Sequence, residues 1–235
     1  MCLFFVPDIS GAVISLPDEE ARHCTGVLRL RAGQSIILTD GKGFFYDASI
    51  QSATKKQVLV HIDNKQEEVS DRNYRLHIAI APTKNISRFE WFLEKVTEIG
   101  IDEITPVITH NSERRNLRTE RLEKVIISAM KQSVKATKPR LNPVISADEF
   151  LNYTCSDCQL FIAYCGAEHN ELLKNCYSIG SNALILIGPE GDFTPEEVDK
   201  ATVKGFKAIS LGNSRLRTET AGVIACHSIY LLNQH

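Results

Sequence analysis

From Leu76 onward the chain alternates short apolar runs with longer segments whose apolar residues recur every three or four positions, and this predicts a mostly parallel sheet flanked by helices. Residues 76–81 (LHIAIA), 104–108, 160–163, 183–187 and 206–211 are runs of strand length. Between the first two, Ile86, Phe89, Phe92, Leu93, Val96 and Ile99 recur at helical spacing, and Gly100 stands where a C-cap belongs. A long helix is predicted over 117–136, closed by Pro139, and a terminal helix over 218–232. Ser146 with Glu149, and Thr194 with Pro195 and Glu197, are N-cap signals for two further helices.

The first seventy residues follow a different pattern. Residues 3–6, 36–39, 44–51 and 57–62 are β-branched or aromatic and separated by turn residues, with one helix predicted near 17–27. Short strands with one helix suggest a small β-barrel. Residues 64–73 (NKQEEVSDRN) are almost devoid of apolar side chains and read as a linker, giving domains at 1–70 and 74–235. The net charge of -2 advertises no polyanion partner, but residues 111–140 hold nine basic against three acidic residues. Such a block either holds a polyanion or is a solvated helix face with pairs such as Glu120 and Lys124. No apolar run approaches ~18 residues, so no membrane helix is expected. The first ten residues lack the pattern of a signal peptide. The odd count of seven cysteines favours reduced thiols and a cytoplasmic location. Cys155 and Cys158, with Cys165, His169 and Cys176, contain zinc-ligand types at irregular spacing, so free thiols are the stronger reading and no metal is expected.

Two loops are candidates for chemistry. Gly188-Pro189-Glu190-Gly191-Asp192-Phe193 follows the most apolar run, and Leu211-Gly212-Asn213-Ser214-Arg215-Leu216-Arg217 leads into the last helix. Ligands in open α/β sheets bind beyond the carboxyl ends of strands. Pro82-Thr83-Lys84 follows the first strand of this region without glycines, and no G-x-x-x-x-G-K occurs, so neither a Rossmann nor a Walker site is present.

The paired loops, Gly188-Pro189-Glu190-Gly191 and Leu211-Gly212 to Leu216-Arg217-Thr218-Glu219-Thr220-Ala221, resemble the RsmE family of ribosomal RNA methyltransferases in the SPOUT superfamily. The likeness continues through Lys84, Arg88-Phe89-Glu90, Lys95, Thr97-Glu98-Ile99-Gly100, Pro106, Gln132-Ser133 and Pro139, and through His23 with Val27-Leu28-Arg29 near the start. Departures are His110 and Asn111 beside Ser112, Lys131 before Gln132, Lys135 where arginine is common, and Asp192 in place of a second glycine.

The resemblance implies an α/β protein with a PUA-like N-terminal barrel and a C-terminal SPOUT domain tied in a trefoil knot. It implies S-adenosylmethionine as methyl donor and N3 of one uridine in 16S ribosomal RNA as acceptor, within the small ribosomal subunit, and a homodimer. On this reading Ile187, Gly188, Pro189, Glu190, Gly191, Leu211, Gly212 and Leu216 hold the cofactor. Arg217 stabilises the N3 anion, and Glu219 orients Arg217 or takes the proton. Arg22, His23, Arg29, Arg114, Arg115, Arg118 and Arg121 contact RNA. Two alternatives stay open: a ribose 2′-O-methyltransferase, and a non-catalytic RNA-binding protein.

Overall fold

The computed structural model describes residues 3–54, 57–69, 72–152, 155, 157–166 and 171–234. The chain divides into two compact units, residues 1–70 with 127–138, and residues 71–126 with 139–235.

The first unit contains β1 (Leu3–Phe5), β2 (Val13–Ser15), α1 (Asp18–Arg22), a π-helical turn His23–Val27, β3 (Ser35–Thr39), β4 (Phe44–Ala53) and β5 (Val58–Glu67). Its sheet has the order β1-β3-β4-β5-β2. Phe4 and Val6 at one end and Ile14 and Leu16 at the other join a single buried cluster, so the sheet curls around one core. Asn64–Glu67, read from composition as linker, is instead the outer part of β5, paired with Phe44–Asp47 of β4. Asn64 and Gln66 donate to Asp47 Oδ2 at 3.4 and 2.9 Å. A strand built by backbone pairing, with polar side chains in water, leaves no apolar alternation to read. The helix expected near 17–27 is a short α-helix that widens into a π turn where Thr25 and Gly26 weaken α-helix formation.

Residues 127–138 join this unit rather than extending the second one. Thr39 Oγ1 and the Gly43 amide donate to the Ala136 carbonyl at 3.0 and 3.1 Å. Lys131 Nζ reaches both oxygens of buried Glu20 at 2.6 and 2.8 Å. Lys131 is therefore the counter-ion of a buried carboxylate.

The second unit contains β6 (Leu76–Ile80), α2 (Ile86–Ile99), β7 (Glu103–Ile108), the start of α3 (Thr119–Gln132), β8 (Arg140–Leu141), β9 (Ile145–Ser146), α4 (Ala147–Phe150), β10 (Cys158–Ala163), β11 (Glu171–Leu172), α5 (Leu173–Cys176), β12 (Asn182–Ile187), α6 (Pro195–Val203), β13 (Lys207–Ser210) and α7 (Thr218–Leu232). Its strands run parallel in the order β11-β13-β10-β12-β6-β7-β8, with β9 also on β7. Alternate residues of each central strand feed opposite faces. Leu76, Ile78 and Ile80 with Ala183, Ile185 and Ile187 pack in the cluster that holds Phe89, Phe92 and Leu93 of α2 and Ala225, Cys226 and Ile229 of α7. Ala79, Leu184 and Leu186 pack in the cluster with Phe150, Phe193 and Ala201. Burial on both faces is why these strands are apolar throughout. Burying one such Leu, Ile or Phe stabilises the fold by roughly 1.5–3 kcal/mol.

Local signals behave as their chemistry dictates. Gly100 caps α2 at φ 117°, a conformation that side chains rarely adopt. Thr194 and Glu197 form a reciprocal capping box on α6, with Pro195 opening the helix. The long helix is shorter than the predicted 117–136. Arg114, Arg115 and Arg118 precede α3, and Lys135 and Lys138 follow a left-handed turn at Val134 (φ 54°). Cys155 and Cys158 are joined in a disulfide, with Cα atoms 5.5 Å apart, so this pair departs from the free-thiol reading: that separation is within the reach of a disulfide. His169 lies outside the described residues. Among the described residues no helix is long and apolar enough to cross a membrane.

Candidate cofactor cavity and basic loop

Strand order creates the site. β10 lies between β12 and β13, so the carboxyl ends of all three, far apart in sequence, open onto a cavity of about 560 Å³. That volume suits a small-molecule ligand. Ile187, Gly188, Pro189 and Glu190 form one wall, and Leu211, Gly212 and Leu216 form another. Ala163, Tyr164 and Cys165 extend from β10 between them, and Thr218 and Ala221 come from the first turns of α7.

Gly188 keeps its wall thin. A Cβ there would lie 2.9 Å from Cε2 of Phe193. Gly212 takes φ 134°, and the Ser210 hydroxyl holds it there, accepting its N–H at 3.2 Å and donating to its carbonyl at 3.0 Å. The cavity wall thus brings together the apolar side chains of Ile187, Leu211 and Leu216 and the glycines Gly188 and Gly212.

Gly191 departs from the expected cofactor set, because it does not line the cavity. Its Cβ position is 3.1 Å from Asn111 Cβ, and its carbonyl accepts from Asn111 Nδ2 at 3.1 Å. Asn111 Nδ2 also donates to the Asp192 carbonyl at 3.0 Å, and the His110 amide donates to Glu197 Oε1 at 2.8 Å. His110 and Asn111 thus brace the loop from outside, where the glycine leaves room for them.

Arg217 is the N-cap residue of α7, exposed, between the cavity residues Leu216 and Thr218 but not lining the cavity itself. Arg215 does line it. Glu219 departs from its expected pairing. It is buried in the first turn of α7, and the cation within ion-pair range is Arg88 of α2, with Nε 3.8 Å from Oε1. Its Oε2 is buried without a hydrogen-bond partner among the described residues. Packing of α2 on α7, invisible in the local sequence, selects Arg88 instead of Arg217.

The basic residues divide by commitment. Arg114 donates to the carbonyls of Thr83 and Lys84 at 3.2 and 3.1 Å through Nε, and to Lys84 again at 2.8 Å. Arg115 donates to the His110 carbonyl at 3.3 Å. Arg121 pairs with Glu90, with one contact at 2.8 Å, and this holds its guanidinium more firmly protonated than usual. Arg118 is exposed and makes no side-chain hydrogen bond or ion pair among the described residues. In the first unit, Arg22 Nε donates to the Asp18 carbonyl at 3.1 Å and His23 packs edge-on to Phe4. Arg29 is exposed in a left-handed conformation (φ 55°).

The candidate loops already contained Asp192, Arg215, Thr218 and Ala221, while Ala163, Tyr164, Cys165, Ile209 and Ser210 were not singled out in the sequence. The strand-end rule could have found Tyr164 and Cys165, since they follow a recognised strand, but nothing local says that this strand lies between the other two.

A parallel α/β sheet with a small-molecule cavity at its carboxyl edge defines a crevice-binding α/β enzyme domain. The chain belongs to the RNA methyltransferase family: the RNA methyltransferase domain matches residues 70–230 and the RNA methyltransferase PUA domain matches residues 16–63. A relative from Rickettsia conorii, named Ribosomal RNA small subunit methyltransferase E, is 30% identical over 93% of this chain and 89% of its own. A crystal structure described as a probable rRNA-methyltransferase from Porphyromonas gingivalis is 44% identical, with a TM-score of 0.94 over 99% of this chain and 98% of that one. A Ribosomal RNA small subunit methyltransferase E from Neisseria gonorrhoeae, bound to S-adenosyl methionine, is 28% identical, with a TM-score of 0.90 over 99% and 98% of the two chains.

Proposed function

We propose that this protein transfers a methyl group from S-adenosylmethionine to N3 of a uridine in 16S ribosomal RNA, presented in the small ribosomal subunit. The observation that carries the reading is the cavity. Both signature loops, with α6 and β13 between them in sequence, end on the same cavity of about 560 Å³, in a chain that belongs to an RNA methyltransferase family.

The residues present fit this cofactor. The loops 187–190 and 211–216 line a cavity of a size that suits a nucleoside, and the apolar side chains of Ile187, Leu211 and Leu216 suit its base. Arg215 supplies a cation for an amino-acid carboxylate. The cofactor supplies an activated methyl, so the protein mainly positions and helps deprotonate.

On this reading Arg217, exposed at the mouth of α7, stabilises the anion that forms as N3 loses its proton. Glu219 is a positioning residue for Arg88. A carboxylate buried against Arg88 does not reach a base in solvent, so the N3 proton leaves to water. N3 lies on the pairing edge, and the target uridine must be unpaired or flipped out. Arg118 and Arg29, exposed and uncommitted, are the foremost phosphate contacts, with Arg22, His23, Arg114, Arg115 and Arg121 secondary.

The same reading includes a trefoil knot in the second unit, a cytoplasmic location and a homodimer. Exposed Leu231 and half-buried Val223, Ile224, Tyr230 and Leu232 leave α7 apolar surface that a twofold partner can cover.

Purified protein, labelled donor and small subunits lacking the modification test the reaction. Nucleoside analysis is expected to give 3-methyluridine, and Arg217→Ala is expected to slow turnover far more than cofactor binding. Recovery of a 2′-O-methyl nucleoside instead overturns the N3 assignment. Absence of methyl transfer from either subunits or naked RNA overturns the enzyme reading.

A further inference from the structure

Asp192 occupies an unusual position in the cavity. It stands where the resembled family has a second glycine, and its backbone is left-handed at φ 59°. Few side chains tolerate that conformation, aspartate and asparagine best among them. Such strain persists only where the surroundings over-determine it.

Here they do. Oδ1 accepts the Phe193 amide at 2.8 Å and Oδ2 accepts the Cys165 amide at 3.1 Å. The carboxylate thereby ties the loop after β12 to the end of β10, and these are two walls of the cavity. Oδ1 lies 3.4 Å from where a Cβ on Gly188 would sit, so the charge is held beside the bare backbone of that glycine. Among the described residues no basic side chain forms an ion pair with Asp192. Its negative charge is held by two neutral amides rather than by a direct ion pair. Arg215 and Glu190 are the other charged residues lining the cavity, and both are exposed. Glu190 Oε1 accepts the Lys84 amide at 3.1 Å.

We propose that the Asp192 carboxylate makes this cavity selective for the positively charged methyl donor over the uncharged thioether left after transfer. The inference rests on the reading of the cavity as a methyl-donor site. In the transfer the sulfur–methyl bond breaks, its electron pair stays on sulfur, and the sulfonium charge disappears as the methyl bonds to N3 and the N3 proton leaves to water. A fixed carboxylate in a partly desolvated cavity attracts the donor through that charge and has no such hold on the product. Product release is favoured at the step where it is needed.

Calorimetric titration separates this from a purely architectural role. S-adenosylmethionine, S-adenosylhomocysteine and sinefungin, whose amine restores a cation at the sulfur position, are titrated into the parent protein, Asp192→Asn and Asp192→Gly. Asparagine tolerates the left-handed backbone and keeps one of the two accepting oxygens; glycine removes the side chain and the strain, and the ratio between ligands separates charge from the lost tie, which weakens all three alike. Thermal melts confirm that each variant is folded. The parent is expected to prefer both cationic ligands over S-adenosylhomocysteine. Both variants are expected to lose roughly tenfold in that preference, with affinity for S-adenosylhomocysteine little changed. Equal weakening of all three ligands, or an unchanged preference, overturns the proposal and leaves Asp192 as a tie between walls. A parent that binds none of the three overturns the methyl-donor reading itself, and this inference with it.

Discussion

The cavity loops and the arginine-bearing loop before α3 are both drawn from the second unit, and they use their sequence signals in opposite ways. In the cavity, two loops that each stand out in the sequence converge because three parallel strands end side by side. In the basic loop, residues that look like an RNA contact surface are largely occupied by the protein. Arg114 is spent on the carbonyls of Thr83 and Lys84 and Arg115 on His110, and just beyond, in the first turn of α3, Arg121 is spent on Glu90. Counting positive charge in the sequence therefore overstates the charge that is free, and Arg118 is the clearest exception.

The largest effect is expected at the cavity. Gly188→Val places a side chain 2.9 Å from the Phe193 ring and a branch beside the ligand space, so donor affinity in calorimetry should fall at least about tenfold. Gly191→Val should do less, because its side chain meets Asn111 outside the cavity. Equal effects of the two would break the distinction between lining and bracing residues. Next comes the support of the cavity wall. A Cβ at Gly222 would lie 2.5 Å from Phe92 Cε2 and 2.9 Å from Ile80 Cδ1, and Gly222→Ala should cost about 1–3 kcal/mol in urea unfolding. An unchanged midpoint would mean that α7 is free to shift on α2.

The basic loop should respond more weakly, and in two different readouts. Arg114→Ala removes charge-assisted hydrogen bonds to two carbonyls and should lower stability by about 1 kcal/mol. Arg118→Ala should leave stability unchanged and flatten the salt dependence of RNA binding by about 0.7–0.9 in logarithmic slope, the share of one phosphate contact. If Arg114→Ala flattens that slope as much while the melting temperature stays put, its hydrogen bonds to Thr83 and Lys84 are not its main role, and the contrast between the two arginines fails.

Patterning along the chain determined a good deal by itself. The two-face burial of residues 183–187 was legible as an unbroken apolar run, and the ends of α2 and α6 were legible in Gly100 and in the Thr194–Glu197 pair, because capping is a contact between near neighbours in sequence. The loops that end on the cavity were legible for the same reason: glycine at a strand end has a local meaning. Tertiary structure alone decided which strand ends meet, since β10 enters between β12 and β13 by a crossover that leaves no mark on its own residues. It also decided partners: Glu219 meets Arg88 across α2 and α7, Lys131 meets Glu20 across more than a hundred residues, and residues 64–67 become strand by pairing with β4. Charge and hydrogen-bonding capacity belong to each residue, but whether they are spent inside the protein or left for a ligand depends on distances that only the folded chain sets.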